Sequence, residues 1–186
     1  NPYSGEKIDS FLCLSKHDMY ARIGEASAAF ADWSDRSFEE RAEVLRAVAR
    51  QLRAEKHDLA QLMALEMGKP IREGVPEVEK AAFCAEFYAD NAEKFLTRDT
   101  IESDASLSYV CYQPLGTLLG ILPWNAPLWL AFRYLAPPLM AGNTCVMKHD
   151  PHVPQTAKAI AKAFVKACPP ENTLPVTNSD PAARRL

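Results

Sequence analysis

From Leu107 onward the chain alternates β-rich stretches with helical ones, and this order constrains the fold more than any other feature. "LSYVCYQPLGTLLGILP" is dense in β-branched, aromatic and aliphatic residues and is interrupted by Pro114 and Gly116, which predicts two strands separated by a turn. Thr117 to Leu122 shows no polar–apolar alternation, the pattern of a strand buried on both faces. A helix is expected from about Pro127 to Met140, closed by Ala141-Gly142-Asn143, and "TCVMK" is the next strand. Another helix is expected from about Pro154 to Ala167, and "TLPVT" is a candidate third strand. Strand, helix, strand, helix, strand is the order of a parallel sheet with crossover helices. Ligands of such sheets collect beyond the carboxyl ends of the strands. Two stretches stand there: "PWN" after the first strand and "KHDPH" after the second.

The residues before Leu107 read as helices. Tyr20, Ile23, Phe30 and Trp33 follow helical spacing between His17 and Trp33. Ser37 and Glu40 form a capping box, and the helix it opens carries Val44, Leu45, Val48, Leu52, Leu59, Leu62 and Met63 before "MGKP" ends it. A third helix has Val75, Val78, Ala82, Phe83 and Tyr88 on its inward side. Glu77, Glu79, Lys80, Glu86 and Asp90 are read as its solvated face.

Composition removes several classes of function. With 21 basic against 24 acidic residues, the chain offers no basic surface for nucleic acid or an anionic membrane. The longest apolar run, "GTLLGILPWNAPLWLAF", is cut by prolines, an Asn and a Gly, so it is not a membrane span. "NPYSGEKIDS" lacks the basic-then-apolar pattern of a secretory signal. The five cysteines, Cys13, Cys84, Cys111, Cys145 and Cys168, are scattered, with no C-x-x-C pair and no His/Cys cluster. That argues against zinc and against a disulfide framework, and points to free thiols in the cytoplasm. None has local features that argue for a lowered pKa, and no His or Lys helper is obvious for any of them.

Three side chains carry candidate chemistry. Asn125 stands between two prolines at a strand end, where a fixed amide suits an oxyanion; capping the following helix is the other reading. Lys148 closes a strand where an ammonium could meet a ribose or phosphate, or simply be solvated. Arg133, among apolar neighbours about two turns beyond Asn125, needs an ion-pair partner, a route to water or a substrate carboxylate. His149, Asp150 and His152 invite a metal, but Pro151 breaks their helical geometry and no third ligand is apparent. "GTLLG" lacks the phosphate fingerprint G-x-G-x-x-G.

"PLGTLLGILPWNAPLWLAFRYLAPPLMAGNTCVMK" resembles the aldehyde dehydrogenase superfamily, from its first nucleotide-domain strand through Pro-Trp-Asn to the lysine after the second strand. "NPYSGEKI" and the stretch from "FADWSDRSFEER" to "NAEKFL" are similar to its N-terminal helical part. The resemblance implies an α/β fold: N-terminal helices and a β-hairpin leading into the first βαβαβ part of a Rossmann-like parallel sheet. Residues 1–106 would be the helical part of the cofactor-binding domain, and residues 107–186 the start of the sheet. It further implies that Asn125 donates its amide to the oxyanion of the thiohemiacetal and thioester intermediates. Lys148 would contact the adenosine ribose of NAD or NADP, and Ile121, Leu122, Pro123 and Trp124 would line the cofactor channel.

A narrower resemblance is to succinate-semialdehyde dehydrogenases, which often carry an arginine at the position of Arg133 facing the distal carboxylate of a small aldehyde substrate. Two residues depart from the family pattern. Ala126 replaces the usual aromatic after the Asn, implying a wider or differently packed substrate tunnel. Pro151 stands where many NAD-using members have a ribose-binding Glu, so a 2′-phosphate is not obviously repelled. The family's complete chain is much longer. Its nucleophilic cysteine, general-base glutamate and Gly-Ser/Thr loop follow the stretch matched here, and none of the five cysteines matches the nucleophile. Dehydrogenation by the 186 residues alone is therefore not expected. The segment "KACPPENTLPVTNSDPAARRL" resembles the family's next strand and loop in compressed form. The family also pairs into dimers and tetramers through a protruding hairpin and a sheet edge, which implies a homo-oligomer for the complete protein. The contrasting reading is a catalytically inactive interaction module.

Overall fold

The computed structural model describes residues 1–168 and 176–179. Helix α1 (Lys16–Asp35) begins at a capping box between Ser15 and Asp18. It buries Ala26, Ala29 and Trp33, small residues and one large ring that bring it close to the sheet. Trp33 Nε1 donates to the Leu139 carbonyl at 3.0 Å, and Thr144 Oγ1 donates to the Ala26 carbonyl at 2.9 Å. Only the second half of α1 is held in this way. Tyr20 and Ile23, placed on the same stripe by the spacing, stay exposed.

The helix expected to run from the Ser37 capping box to Met67 is two helices. α2 (Phe38–Ala54) and α3 (Lys56–Met67) meet at Glu55, and α3 ends where Gly68 turns left-handed at φ 78°. The break carries neither Gly nor Pro, and the apolar pattern runs through it, so sequence alone gives no sign of it. α4 (Ile71–Leu96) packs across α2 and α3. Its buried stripe is Gly74, Glu77, Val78, Ala81, Ala82, Cys84, Ala85, Ala89 and Ala92. Two expectations for this helix fail. Phe83, assigned inward, is 62% exposed, and Glu77, assigned to solvent, is 8% exposed. The inward face is lined with alanines because the helices approach closely, so bulk pointed to the wrong side. A Cβ on Gly74 would come 2.9 Å from the Ala60 Cβ.

A short antiparallel hairpin, β1 (Asp99–Thr100) with β2 (Tyr109–Val110), follows α4. The second sheet is parallel, in the order β3-β4-β5: β3 (Thr117–Ile121), β4 (Thr144–Lys148) and β5 (Val176–Ser179). α5 (Pro127–Met140) and α6 (Pro154–Ala167) are the crossovers, with the bounds the sequence suggests. β5 takes the last two residues of "TLPVT", while Thr173–Pro175 lie outside the described residues. β3 is not buried on both faces. Among the described residues it is the outer strand of the sheet, with Leu119 59% and Ile121 64% exposed. Its other face meets α5. Gly120 lies against the Tyr134 ring, where a Cβ would overlap ring atoms, and the Tyr134 hydroxyl donates to the Leu118 carbonyl at 2.8 Å.

Candidate active site

The parallel register sets Ile121 opposite Lys148, and the Leu122 amide donates to the Lys148 carbonyl at 3.0 Å. The Pro123-Trp124-Asn125-Ala126 turn and the Lys148 side chain therefore leave the sheet at the same end. α5 is capped by Ala126, which supplies no side-chain hydrogen bond. Asn125 is exposed, and its amide bonds to nothing among the described residues. Helix capping is not its role in this structure.

Glu77 does the capping instead. One carboxylate oxygen accepts from the backbone N–H groups of Leu128 (2.9 Å) and Trp129 (3.1 Å), and the other pairs with Lys69. A negative charge at a helix N-terminus satisfies orphan donors and complements the helix dipole. On the opposite side His149, fully buried, donates from Nε2 to the Pro127 carbonyl at 3.0 Å. Its Nδ1 accepts from the Asp150 N–H at 2.9 Å, which fixes the tautomer, and burial lowers its pKa, so the ring is neutral. The turn bearing Asn125 is thus anchored from α4 and from the end of β4. Sequence reasoning passed over both anchors. In the sequence Glu77 reads as one of a run of solvated charges, and His149 reads only as a candidate metal ligand. Among the described residues no three His, Cys, Asp or Glu side chains gather to hold a metal.

α6 repeats the device. Glu66 of α3 accepts from the N–H groups of Gln155 (2.6 Å) and Thr156 (2.9 Å) and from the Thr156 hydroxyl (2.6 Å). Burial raises the Glu66 pKa against the pull of these bonds. Both helix N-termini that follow a strand already hold a carboxylate. Neither is open to a phosphate.

Lys148 is half-buried and has no carboxylate at ion-pair distance among the described residues. Asp150, two residues on, is engaged by His152 through the backbone N–H (2.9 Å) and ring Nδ1 (2.6 Å). Burial would raise the Asp150 pKa, but those bonds and the nearby cations hold it below the usual carboxylate value. Trp124 is a partly exposed wall residue, its ring centroid 6.1 Å from that of His152. Arg133 projects into solvent with no ion pair among the described residues, so the structural salt bridge is not formed. It lies one turn beyond Trp129, over whose ring the Lys80 ammonium sits at 4.0 Å from the centroid. Burial raises the thiol pKa of Cys84 and of Cys168, and pushes that of Cys145 up to about 12. These three are structural thiols, not nucleophiles.

The model of the aldehyde dehydrogenase family matches residues 1–183. The chain belongs to that family. It is 42% identical over 171 residues to a probable succinate-semialdehyde dehydrogenase [NADP(+)] of Synechocystis sp., a match covering 92% of this chain and 38% of that protein. It is 35% identical to the succinate semialdehyde dehydrogenase [NAD(P)+] Sad of Escherichia coli, covering 97% of this chain and 39% of the other. The structure superposes on succinic semialdehyde dehydrogenase from Streptococcus pyogenes, solved with NADP+, with a TM-score of 0.90 at 29% identity, covering 96% of this chain and 39% of that one. The chain thus spans less than two fifths of the relatives it matches.

For a member of the aldehyde dehydrogenase family, a nicotinamide dinucleotide is the implied cofactor, and the strand ends fit part of it. The Lys148 ammonium, without an ion pair among the described residues and on the strand position paired with the exposed Ile121, suits a ribose and its flanking groups. The filled helix N-termini do not suit its pyrophosphate.

Proposed function

We propose that this chain is the part of an NADP- or NAD-dependent aldehyde dehydrogenase that presents the oxyanion donor, one cofactor contact and a carboxylate anchor, and that succinate semialdehyde is the substrate of the complete enzyme. The observation that carries the reading is the Asn125 amide, on an anchored turn yet without a bond among the described residues, at the strand end shared with Lys148, which has no ion pair among them either. An unoccupied amide donor on an anchored turn is what a developing oxyanion needs. Lys148 would hold the ribose, with Ile121, Leu122, Pro123 and Trp124 beside it, and the bound cofactor supplies a hydride acceptor. Arg133 would hold the distal carboxylate of the substrate, as its exposure and lack of a partner permit. The relatives named for succinate semialdehyde support that choice, and Pro151 leaves no carboxylate at its position to oppose a 2′-phosphate.

The test uses the complete polypeptide that carries this sequence, assayed with succinate semialdehyde and each cofactor. Asn125→Ala is expected to lower kcat by roughly 10²–10³ and to leave the urea midpoint unchanged, since Asn125 caps nothing. A destabilised variant of normal kcat would return Asn125 to a structural role. The 186 residues alone are expected to form no NAD(P)H.

A second reading, a non-catalytic association module, is favoured by the open edge of β3 and its exposed apolar residues. The intact mass of the polypeptide isolated from its own cells separates the two. A mass close to the 20.7 kDa of this chain favours the module, and one well above it favours the enzyme.

A further inference from the structure

We infer that Lys80 is a second cation of the substrate-carboxylate site, and that together with Arg133 it sets how far from Asn125 a carboxylate is accepted. The inference rests on the function proposed above. α4 and α5 run side by side in the same direction: Glu77 meets the N–H groups of Leu128 and Trp129, and Cys84 Sγ, about two turns further along α4, approaches the carbonyl of Phe132, about one turn further along α5, at 3.7 Å. On the outer side of this seam, α5 displays Trp129 and Arg133, four residues apart and so on one face, with Asn125 just before the first turn. From α4, Lys80 lays its ammonium over the Trp129 ring at 4.0 Å.

Charge balance separates the pair from the ion-paired cations around it. Arg46, Arg53, Lys56 and Lys69, on or beside the neighbouring helices, each hold a carboxylate. Lys80 and Arg133 have none among the described residues. Glu77, three residues before Lys80, has one oxygen committed to two N–H groups and the other to Lys69, so it is not available to neutralise Lys80. An ammonium held over the indole and a guanidinium four residues further along the same helix face, neither with a carboxylate among the described residues, can form a receptor for an anion, and the cation–π contact keeps the ammonium in place.

The geometry also sets a length. At 1.5 Å of rise per residue, Trp129 lies about 6 Å and Arg133 about 12 Å along the axis from Asn125. Long helical side chains lean back toward the N-terminus, so the guanidinium reaches toward the level of Trp129 and Lys80. Both charges fall about one turn from the oxyanion donor. That separation suits an aldehyde with its carboxylate at the far end of a four-carbon chain, rather than a two-carbon or a long aliphatic one.

The first test needs no catalysis. In the 186-residue chain with ¹⁵N-labelled tryptophan, the Trp129 indole resonance, assigned with Trp129→Phe, is followed during titration with succinate, with chloride matching the ionic strength. We expect a saturable shift that neutral butyramide does not produce. Lys80→Met is expected to weaken it at least about fivefold, Arg133→Met to weaken it as much, and Lys80→Arg to restore it. A shift that survives Lys80→Met but not Arg133→Met would overturn the role of Lys80 and leave the proposed function standing. No shift in the wild type would overturn the inference too, while activity on succinate semialdehyde tests the function independently. In the complete polypeptide, Lys80→Met is expected to raise KM for succinate semialdehyde about tenfold, with butyraldehyde unaffected. Equal loss on both aldehydes would make Lys80 structural and overturn the inference.

Discussion

His149 shows how much one buried side chain can control. Its two ring nitrogens join the end of β4 to the first carbonyl of α5, and only the neutral ring with the proton on Nε2 makes both bonds. Burial keeps the folded imidazole neutral below its ordinary 6.5. Above that value neither folded nor unfolded chain takes up the proton, and the contact contributes in full. As the pH falls through 6.5 the unfolded chain protonates first. Stability is then lost at up to about 1.4 kcal/mol per pH unit until the folded ring protonates as well. His149→Gln can keep both hydrogen bonds without titrating. Urea unfolding of wild type and variant at pH 7.5 and 5.5 should therefore show a wild-type loss that the variant lacks. Parallel losses would sink this account. Glu66, whose pKa burial raises, acts in the opposite direction and lower, its contribution lost as pH rises from about 4.5, so it does not imitate the effect. The sequence made His149 visible only as one of two histidines around an aspartate; its function follows from a carbonyl 22 residues away.

Among the elements, those fixed by local chemistry were legible and those fixed by distant packing were not. α5 and α6 start at prolines, and Gly142 follows the end of α5, so their limits could be read directly. The α2–α3 break and the inward face of α4 depend on how closely the helices approach, which bulk and spacing do not encode. The same reason hid Glu77, whose two amide partners lie 51 and 52 residues on. Of the candidate site, the strand ends and the proposed Asn125, Lys148 and Arg133 were legible in the alternation, but not the carboxylate that orients α5. Glu77→Ala would strand two helix N–H groups and a mostly buried Lys69, at an expected cost of about 3 kcal/mol. Glu77→Gln retains an acceptor and should cost less, and adding Lys69→Met to Glu77→Gln should recover part of the loss. Urea unfolding measures the cost, and hydrogen exchange at Leu128 and Trp129 measures the release of the first turn. A Glu77→Ala loss below about 1 kcal/mol, with exchange unchanged, would show that α5 does not depend on this cap.

On the scale of the whole molecule, apolar surface lies open in two regions. β3 ends the parallel sheet among the described residues, with Leu119 and Ile121 exposed along it and Leu115 exposed just before it. On α4, Phe83, Phe87 and Phe95 are exposed in a line, their successive ring centroids 6.4 and 6.1 Å apart. An unpaired strand edge presents N–H and C=O groups to any other strand, and contiguous exposed aromatics strengthen the contact once it forms. The near-neutral net charge of −3 offers little repulsion against this. The isolated chain should therefore associate as its concentration rises, with the weight-average sedimentation coefficient climbing between about 1 and about 100 µM. Leu119→Lys puts a charge on the exposed face of the edge strand and should suppress association without unfolding the chain, because Leu119 packs against little. Phe87→Ser should suppress it less if the strand edge nucleates the contact, and more if the aromatic line does. A monomer of constant sedimentation coefficient over that range, melting sharply at a concentration-independent temperature, would mean that the chain tolerates its open edge. The association-module reading would then lose its physical basis, and the enzymatic reading would stand alone.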